Sequence, residues 1–155
     1  DLWSRKYVML GLEYFYEICK DGEVRSQILT VLKTQLDCII SGIGREEGKK
    51  CINHASHHWR GLNSSSILEP VMMLYELTGE PRCLDFATYI VNCGGTDVVN
   101  VFDLAYADKL YPYQYPVTKA YEMTSCFEGL LEYYYVTGEE KHKISVINFA
   151  NKIDE

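Results

Sequence analysis

Five carboxylates have the types and spacing for paired acid–base work: Glu69, Asp103, Asp108, Glu122 and Glu128. Hydrolysis of a glycosidic bond commonly uses two carboxyl groups, one as acid and one as nucleophile or base. Glu122 and Glu128 are six residues apart, which on a helix places them on different faces. Glu128 and Glu132 are four apart and share a face. A solvated helix face or a helix cap is the plainer reading of each of them. A second constellation is "CINHASHH", which offers Cys51, His54, His57 and His58, types that zinc accepts. Its spacing is crowded and no distant fourth ligand accompanies it, so we expect no metal site. A third is "HHWRGLNSSS", where Trp59 stands beside Arg60 and Asn63. A flat ring next to polar groups suits a sugar platform; a loop packed by one tryptophan explains it equally well. No phosphate-binding Gly-rich loop, dinucleotide fingerprint or G-x-S-x-G turn occurs.

Composition narrows the classes further. The chain has 155 residues and a net charge of −7, opposite in sign to what counterion displacement from a nucleic acid requires. No apolar run reaches the length of a membrane span, and "DLWSRKYVML" lacks the basic start and apolar core of a signal peptide. We therefore expect neither a nucleic-acid nor a membrane partner, and a soluble chain of the cytoplasm or periplasm. The six cysteines contain no C-x-x-C. Most sit in apolar helical patterns, where free Cys behaves as a small hydrophobe, so reduced thiols are expected. Tyrosine is abundant, with 13 copies, suited to helix interfaces or to sugar and protein contacts.

The elements that must position these residues are helices. Val8, Leu12, Phe15 and Cys19 recur at helical spacing, and Lys20-Asp21-Gly22 breaks the pattern. Val24, Ile28, Val31, Leu32, Leu36 and Ile39 follow on one stripe, ended by Gly42 and Gly44. The polar stretch 45–66 is too long for a simple turn, and loops of that length are often functional or mobile. Asn63 to Ser66 supply possible N-caps, and Ser66 with Glu69 reads as a capping box, although Pro70 leaves that boundary open by a turn. Two further hairpins follow, giving helical pairs over about 4–43, 64–94 and 118–154, with a short helix in 98–108 and breaks at Pro112 and Pro116.

The hairpins are written in one repeating phrase. "SILEPVMMLYELTGE" at 66–80 and "SCFEGLLEYYYVTGE" at 125–139 match at an offset of 59, and Tyr16, Tyr75 and Tyr134 keep that interval. Gly11, Pro70 and Gly129 correspond, as do Leu12, Val71 and Leu130. A fixed period of this length holds a helix, a tight turn, a second helix and a connector. It implies an all-α array in which neighbours bury each other's apolar faces. Cys126 lies near a helix start, where a thiol could be activated, but its counterpart is Ile67, which favours a core role. Glu69 and Glu128 recur together, which favours a structural role for both.

The stretches "WRGLNSSSILEPVMMLYELTGEPRCLDFATYIV" and "KAYEMTSCFEGLLEYYYVTGE" resemble segments of the six-hairpin glycosidases, most closely glycoside hydrolase family 127, the β-L-arabinofuranosidase group. "DLWSRKYVMLGLEYFYEI" is similar to an earlier hairpin of the same group. The T-G-E turns indicate only the superfamily; "GLNSSSILEP" followed by "KAYEMTSCFEGLLE" is more specific. The resemblance implies an (α/α)6 barrel, of which this chain would be about three of six hairpins and one structural unit. It also implies a cysteine nucleophile, a glutamate acid/base and zinc held by Glu and Cys, drawn from a Glu-Thr-Cys motif and a Cys-Cys pair. Neither string occurs here, and Glu17-Ile18-Cys19 belongs to another part of the pattern. We therefore expect no catalytic residue, metal ligand or cofactor within this chain, which alone would be inactive. It would supply pocket wall, with substrate contacts from Trp59, Asn63, Tyr121, Glu122 and Glu128. The expected partners are a carbohydrate and, because open hairpin sides expose apolar surface, a second copy of the chain. The rival reading is a non-enzymatic helical scaffold for protein or glycan binding, although the tetratricopeptide period of about 34 does not match.

Overall fold

Asp1 and Asp21 start the first two helices by the same device. The Asp1 carboxylate accepts from the Trp3 amide at 3.0 Å, and Asp21 accepts from the amides of Glu23 and Val24 at 2.9 and 3.2 Å. Each satisfies donors that an N-terminus leaves unpaired. The computed structural model describes residues 1–154, and among these the chain is all-α. Three hairpins dominate: α1 (Leu2–Ile18) with α2 (Gly22–Gly42), α4 (Leu68–Thr78) with α5 (Pro81–Cys93), and α7 (Ala120–Thr137) with α8 (Glu140–Asp154). One-turn α3 (Leu62–Ser65) precedes the second hairpin, and α6 (Val101–Ala107) precedes the third. Single 3₁₀ turns at Ile52–His54, His58–Gly61 and Pro112–Gln114 shape the connections. Among the described residues no strand forms, only two isolated bridges, and no helix is long and apolar enough to cross a membrane.

The repeated T-G-E phrase has one structural meaning in both of its copies. Gly79 and Gly138 take left-handed φ values of 65° and 70°, and their amides donate back to Tyr75 and Tyr134 at 2.7 and 2.8 Å. Thr78 and Thr137 donate to the carbonyls four residues earlier, then accept from the amides of Glu80 and Glu139. Glycine adopts this helix-ending conformation without a side-chain penalty. In the first hairpin, Cys19 instead leaves α1 in extended conformation and Asp21 recaps the chain.

The hairpins stand side by side in two rows. Helix α4 packs on both α1 and α7, while α2, α5 and α8 each back their own partner. The approach of α7 to α4 is close because Gly129 has no side chain: a Cβ there would lie 2.6 Å from the Glu69 nitrogen. The core runs continuously from Met9, Leu32 and Leu36 through Leu68, Met72 and Ile90 to Phe127 and Leu130. Phe127 stacks on Phe149 at 3.8 Å and meets Phe102 edge-on at 5.4 Å, which joins α6 to the third hairpin.

Two sequence expectations are corrected here. The stripe Val8–Phe15 is not the buried face of α1; both residues are about half exposed, and Leu2, Lys6, Met9, Leu10 and Glu13 are buried instead. No capping box forms on Ser66, whose hydroxyl donates to the Asn63 carbonyl. Helix α4 begins after Ile67 with no side-chain cap. The serines fasten the polar loop: Ser64 donates to the Ile52 carbonyl at 2.6 Å and Ser65 to Asn53 Oδ1 at 3.0 Å. Asn53 in turn donates to the carbonyls of Cys93 and Thr96, both at 2.7 Å. The loop is thus built around one buried amide.

Candidate functional site

Helices α1, α4 and α7 present their facing sides to a cleft of about 700 Å³. Tyr7, Leu10, Gly11 and Tyr14 line it from α1, Glu69 from α4, and Ala120, Tyr121, Thr124, Ser125 and Glu128 from α7. Leu10, Glu69 and Glu128 are the same position in three successive copies of the repeat. The period that builds the scaffold therefore also delivers two carboxylates to one opening.

The floor of the cleft is organised by Lys6, which is 0% exposed. A buried ammonium needs charge compensation and hydrogen-bond acceptors. Lys6 Nζ donates to Ser125 Oγ and lies 3.4 Å from Glu69 Oε2. Three rings surround it: the centroids of Trp3, Tyr7 and Tyr121 are 5.4, 5.5 and 5.2 Å away, within cation–π range. Tyr7 and Tyr121 lie nearly parallel with centroids 6.3 Å apart, and Trp3 meets Tyr121 edge-on at 5.7 Å. Side chains from α1 and α7 therefore close over the ammonium group, with α4 between them.

The surrounding acids are held in different states. Burial pushes the Glu69 carboxyl up, while Lys6 opposes that shift and the Glu128 charge adds to it. Glu13 is 0% exposed, and neither of its oxygens has a hydrogen-bond partner. Burial first, then the charges of Glu69 and Glu17, raise its pKa to about 9, so Glu13 is a neutral acid at pH 7. Glu122 is also buried, with Oε2 unpartnered, and its charge helps to raise the Tyr7 hydroxyl, after burial and Tyr121. Burial and the neighbouring Glu76 on α4 bring Glu132 on α7 to about 7. A carboxyl kept protonated near neutrality can donate a proton, and an exposed carboxylate such as Glu128 can accept hydrogen bonds from hydroxyls.

Of the residues expected to contact substrate, the structure brings Tyr121 and Glu128 to the lining and Glu122 into the buried layer behind it. Trp59 stands outside the lining, half exposed, with Lys119 Nζ 5.1 Å above its ring at the start of α7. Trp59, Arg60 and Gly61 occupy consecutive left-handed conformations, φ 54°, 54° and 104°. Such a run is strained for the two non-glycine residues. A Cβ on Gly61 would lie 2.7 Å from Asn53 Cα. Asn63 is buried in α3 and is not among the cleft residues.

The other constellations dissolve into structural roles. Cys126 is fully buried, its Sγ faces the Leu62 carbonyl at 3.7 Å, and burial pushes its thiol up to about 12, as expected of its core position. His54 Nε2 lies 3.8 Å from Asp97, which also accepts from Arg60 at 2.8 Å. Cys51 faces Cys93 and Tyr89 instead. Among the described residues no group of three or more His, Cys, Asp or Glu side chains is placed to hold a metal ion.

Sequence reasoning passed over Lys6, Glu13, Tyr7 and Tyr14. One signal was present: Lys6 and Glu13 interrupt the positions shared with Met9 and Leu10, where the corresponding residues of later copies are Ser65, Met72, Thr124 and Leu131. A charge at a position that is apolar or small in sister repeats marks a departure from scaffold requirements. In comparisons with known proteins, the chain matches no family model, no curated protein and no solved structure.

Proposed function

We propose that the α1–α4–α7 cleft binds a saccharide, and that the chain forms pocket wall of a carbohydrate-active hydrolase of the six-hairpin, L-arabinofuranoside-cleaving kind. The observation that carries this reading is the joint lining of one cleft by the Tyr7 and Tyr121 rings and the Glu69 and Glu128 carboxylates. Sugars present apolar C–H faces and a rim of hydroxyls, so they are recognised by aromatic faces together with fixed acceptors. Ser125, held by Lys6, adds a hydroxyl at the floor. No group in this chain is assigned a covalent catalytic role; Cys126, two turns into α7, is sealed in the core. The hairpin phrase and its resemblance supply the enzyme class, with bond cleavage completed by side chains across the pocket.

The test is titration of the labelled chain with methyl L-arabinofuranoside, other pentosides and uronic acids, followed by amide chemical shifts. The expected result is saturable shifts confined to Tyr7, Tyr14, Tyr121, Ser125 and Glu128, reduced about tenfold in affinity by Tyr121→Ala. Shifts elsewhere, or none with any sugar, would remove the saccharide reading in favour of a non-enzymatic helical scaffold.

A further inference from the structure

Cys51 and Cys93 lie on two segments that hydrogen bonds hold side by side. Cys51 stands just before the 3₁₀ turn Ile52–His54, and Cys93 is the last residue of α5. The residue after Cys51 is tied to α5 one turn before Cys93: the Ile52 amide donates to the Tyr89 hydroxyl at 2.8 Å. The next residue, Asn53, donates its side-chain amide to the Cys93 carbonyl at 2.7 Å. Tyr89 in turn donates to the Gly44 carbonyl at 3.2 Å, so one hydroxyl ties both ends of the segment 44–52 to α5. Both thiols are half-buried, within reach of a small reagent, and among the described residues the six cysteines are free.

The site suits a pair of sulfurs better than a thiolate. Burial first, then the charge of Cys51, push the Cys93 thiol up to about 11. Burial also raises the Tyr89 hydroxyl; the Ile52 amide opposes that rise, and Cys93 and Cys51 add to it. The other thiols face different groups: Cys19 the Asp21 carbonyl at 3.7 Å, Cys83 the charges of Glu80 and Arg82, and Cys126 those of Lys6 and Glu122. Among the described residues no third ligand joins Cys51 and Cys93 to make a metal site. A disulfide removes both ionisable groups, and with them the cost of burying a charge there. We propose that Cys51 and Cys93 are a redox-responsive pair, closed to an intrachain disulfide by a small disulfide oxidant such as glutathione disulfide. The thiolate of one cysteine attacks a glutathione sulfur and expels one glutathione thiolate. The other cysteine, its proton lost to solvent, attacks the mixed disulfide and expels the second. Two protein thiols are oxidised, and one glutathione disulfide is reduced to two thiols. The bridge closes the 43 residues from Cys51 to Cys93, which include the left-handed run at Trp59–Gly61 and the whole second hairpin. It fastens the polar loop to the end of α5 and constrains the unfolded chain. The inference is independent of the saccharide reading.

The test equilibrates the 155-residue chain with millimolar glutathione disulfide at about pH 8.5, where more thiolate is present. Remaining thiols are then blocked and the peptides mapped without reduction. The expected result is a linked Cys51–Cys93 peptide that retains no glutathione and is released by dithiothreitol. The oxidised chain should melt about 10 °C above the reduced one. Cys51→Ala and Cys93→Ala should each show no such rise on the same treatment. Persistence of both cysteines as free thiols, pairing of either with a different cysteine, or glutathione retained on either would overturn the proposal.

Discussion

Glu13 stands in the core with both carboxyl oxygens unpartnered, at a position that Met72 and Leu131 fill in the other two copies of the repeat. Replacing it with the repeat's own residue, Glu13→Met, should stabilise the protein, by an amount that depends on pH in a calculable way. The unfolded carboxyl titrates near 4.5 and the folded one near 9. A folded pKa raised above the unfolded value means that the group's contribution to stability is fully present below pH 4.5 and is lost as pH rises through about 9. Within that window the wild type loses about 1.4 kcal/mol per pH unit, which comes to roughly 3 kcal/mol at pH 7. Methionine carries no such cost and fills the site with apolar atoms. The measurement is urea unfolding of both proteins at pH 4.5, 6 and 7.5. The variant's advantage should be smallest at pH 4.5 and grow toward pH 7.5, reaching about 3 kcal/mol near neutrality, or roughly 6–12 °C in Tm. Glu13→Gln should abolish the pH slope but gain less at any one pH, since a buried amide still lacks partners. A pH-independent gain would mean that folding leaves the Glu13 carboxyl unshifted, and a loss of stability in Glu13→Met would mean that it has a favourable partner; either would refute the reasoning.

Four further outcomes follow from the same geometry. Gly129→Ala should destabilise by about 1–3 kcal/mol in chemical unfolding, because its Cβ would meet the α4 backbone; Gly11→Ala, at the equivalent position, should be neutral or stabilising in a single chain. Lys6→Met should cost about 3–5 kcal/mol, since it leaves Glu69 buried without its ion pair; adding Glu69→Gln to that variant should restore most of the loss. Glu132, raised by burial and by Glu76 to about 7, contributes stability that fades as pH rises from about 4.5 through 7, so Glu132→Gln should flatten the stability profile over that interval. Tyr121→Ala, at an exposed ring, should leave the melting temperature within about 2 °C of wild type while weakening any saccharide that saturates the cleft.

The hairpins were legible because their signals are local. A repeated Thr-Gly-Glu ends a helix whatever surrounds it, and the period of 59 states that three units stack. Which side of α1 is buried was not legible from apolar spacing. Val8, Phe15 and Ile18 form a regular apolar stripe, yet the α4 contact falls on Lys6, Met9 and Glu13. The repeat alignment resolves this, since Val8 and Phe15 align with residues that face a preceding hairpin and Met9 with Leu68 in the next interface. Spacing alone cannot choose between two apolar faces when one of them meets no neighbour within the chain. Trp59 and Asn63 were drawn to the cleft by residue type, but the left-handed run at Trp59–Gly61 turns that loop onto Asn53, a three-dimensional constraint with no local sequence mark beyond Gly61.

The positions at which the copies differ bear on the cleft more directly than those they share. Shared residues account for turn, cap and close approach: Thr78 and Thr137, Gly79 and Gly138, Tyr75 and Tyr134. Where the copies diverge along the inner row, ionisable groups enter: Lys6 against Ser65 and Thr124, Glu13 against Met72 and Leu131, Glu122 against Asn63. Each of these three ionisable side chains is buried, and burial of an ionisable group without full pairing weakens a fold that sister repeats build without it. Lys6 lies against the Tyr7 and Tyr121 rings and pairs with Glu69, the Glu69 charge acts on Glu13, and Glu122 acts on Tyr7. Departures from local consistency concentrate where a protein binds or reacts. On that argument we propose the cleft floor, and not the tryptophan loop, as the place where the repeat has been modified for a ligand, and the stability recovered by Glu13→Met should come with a weakened response to saccharide.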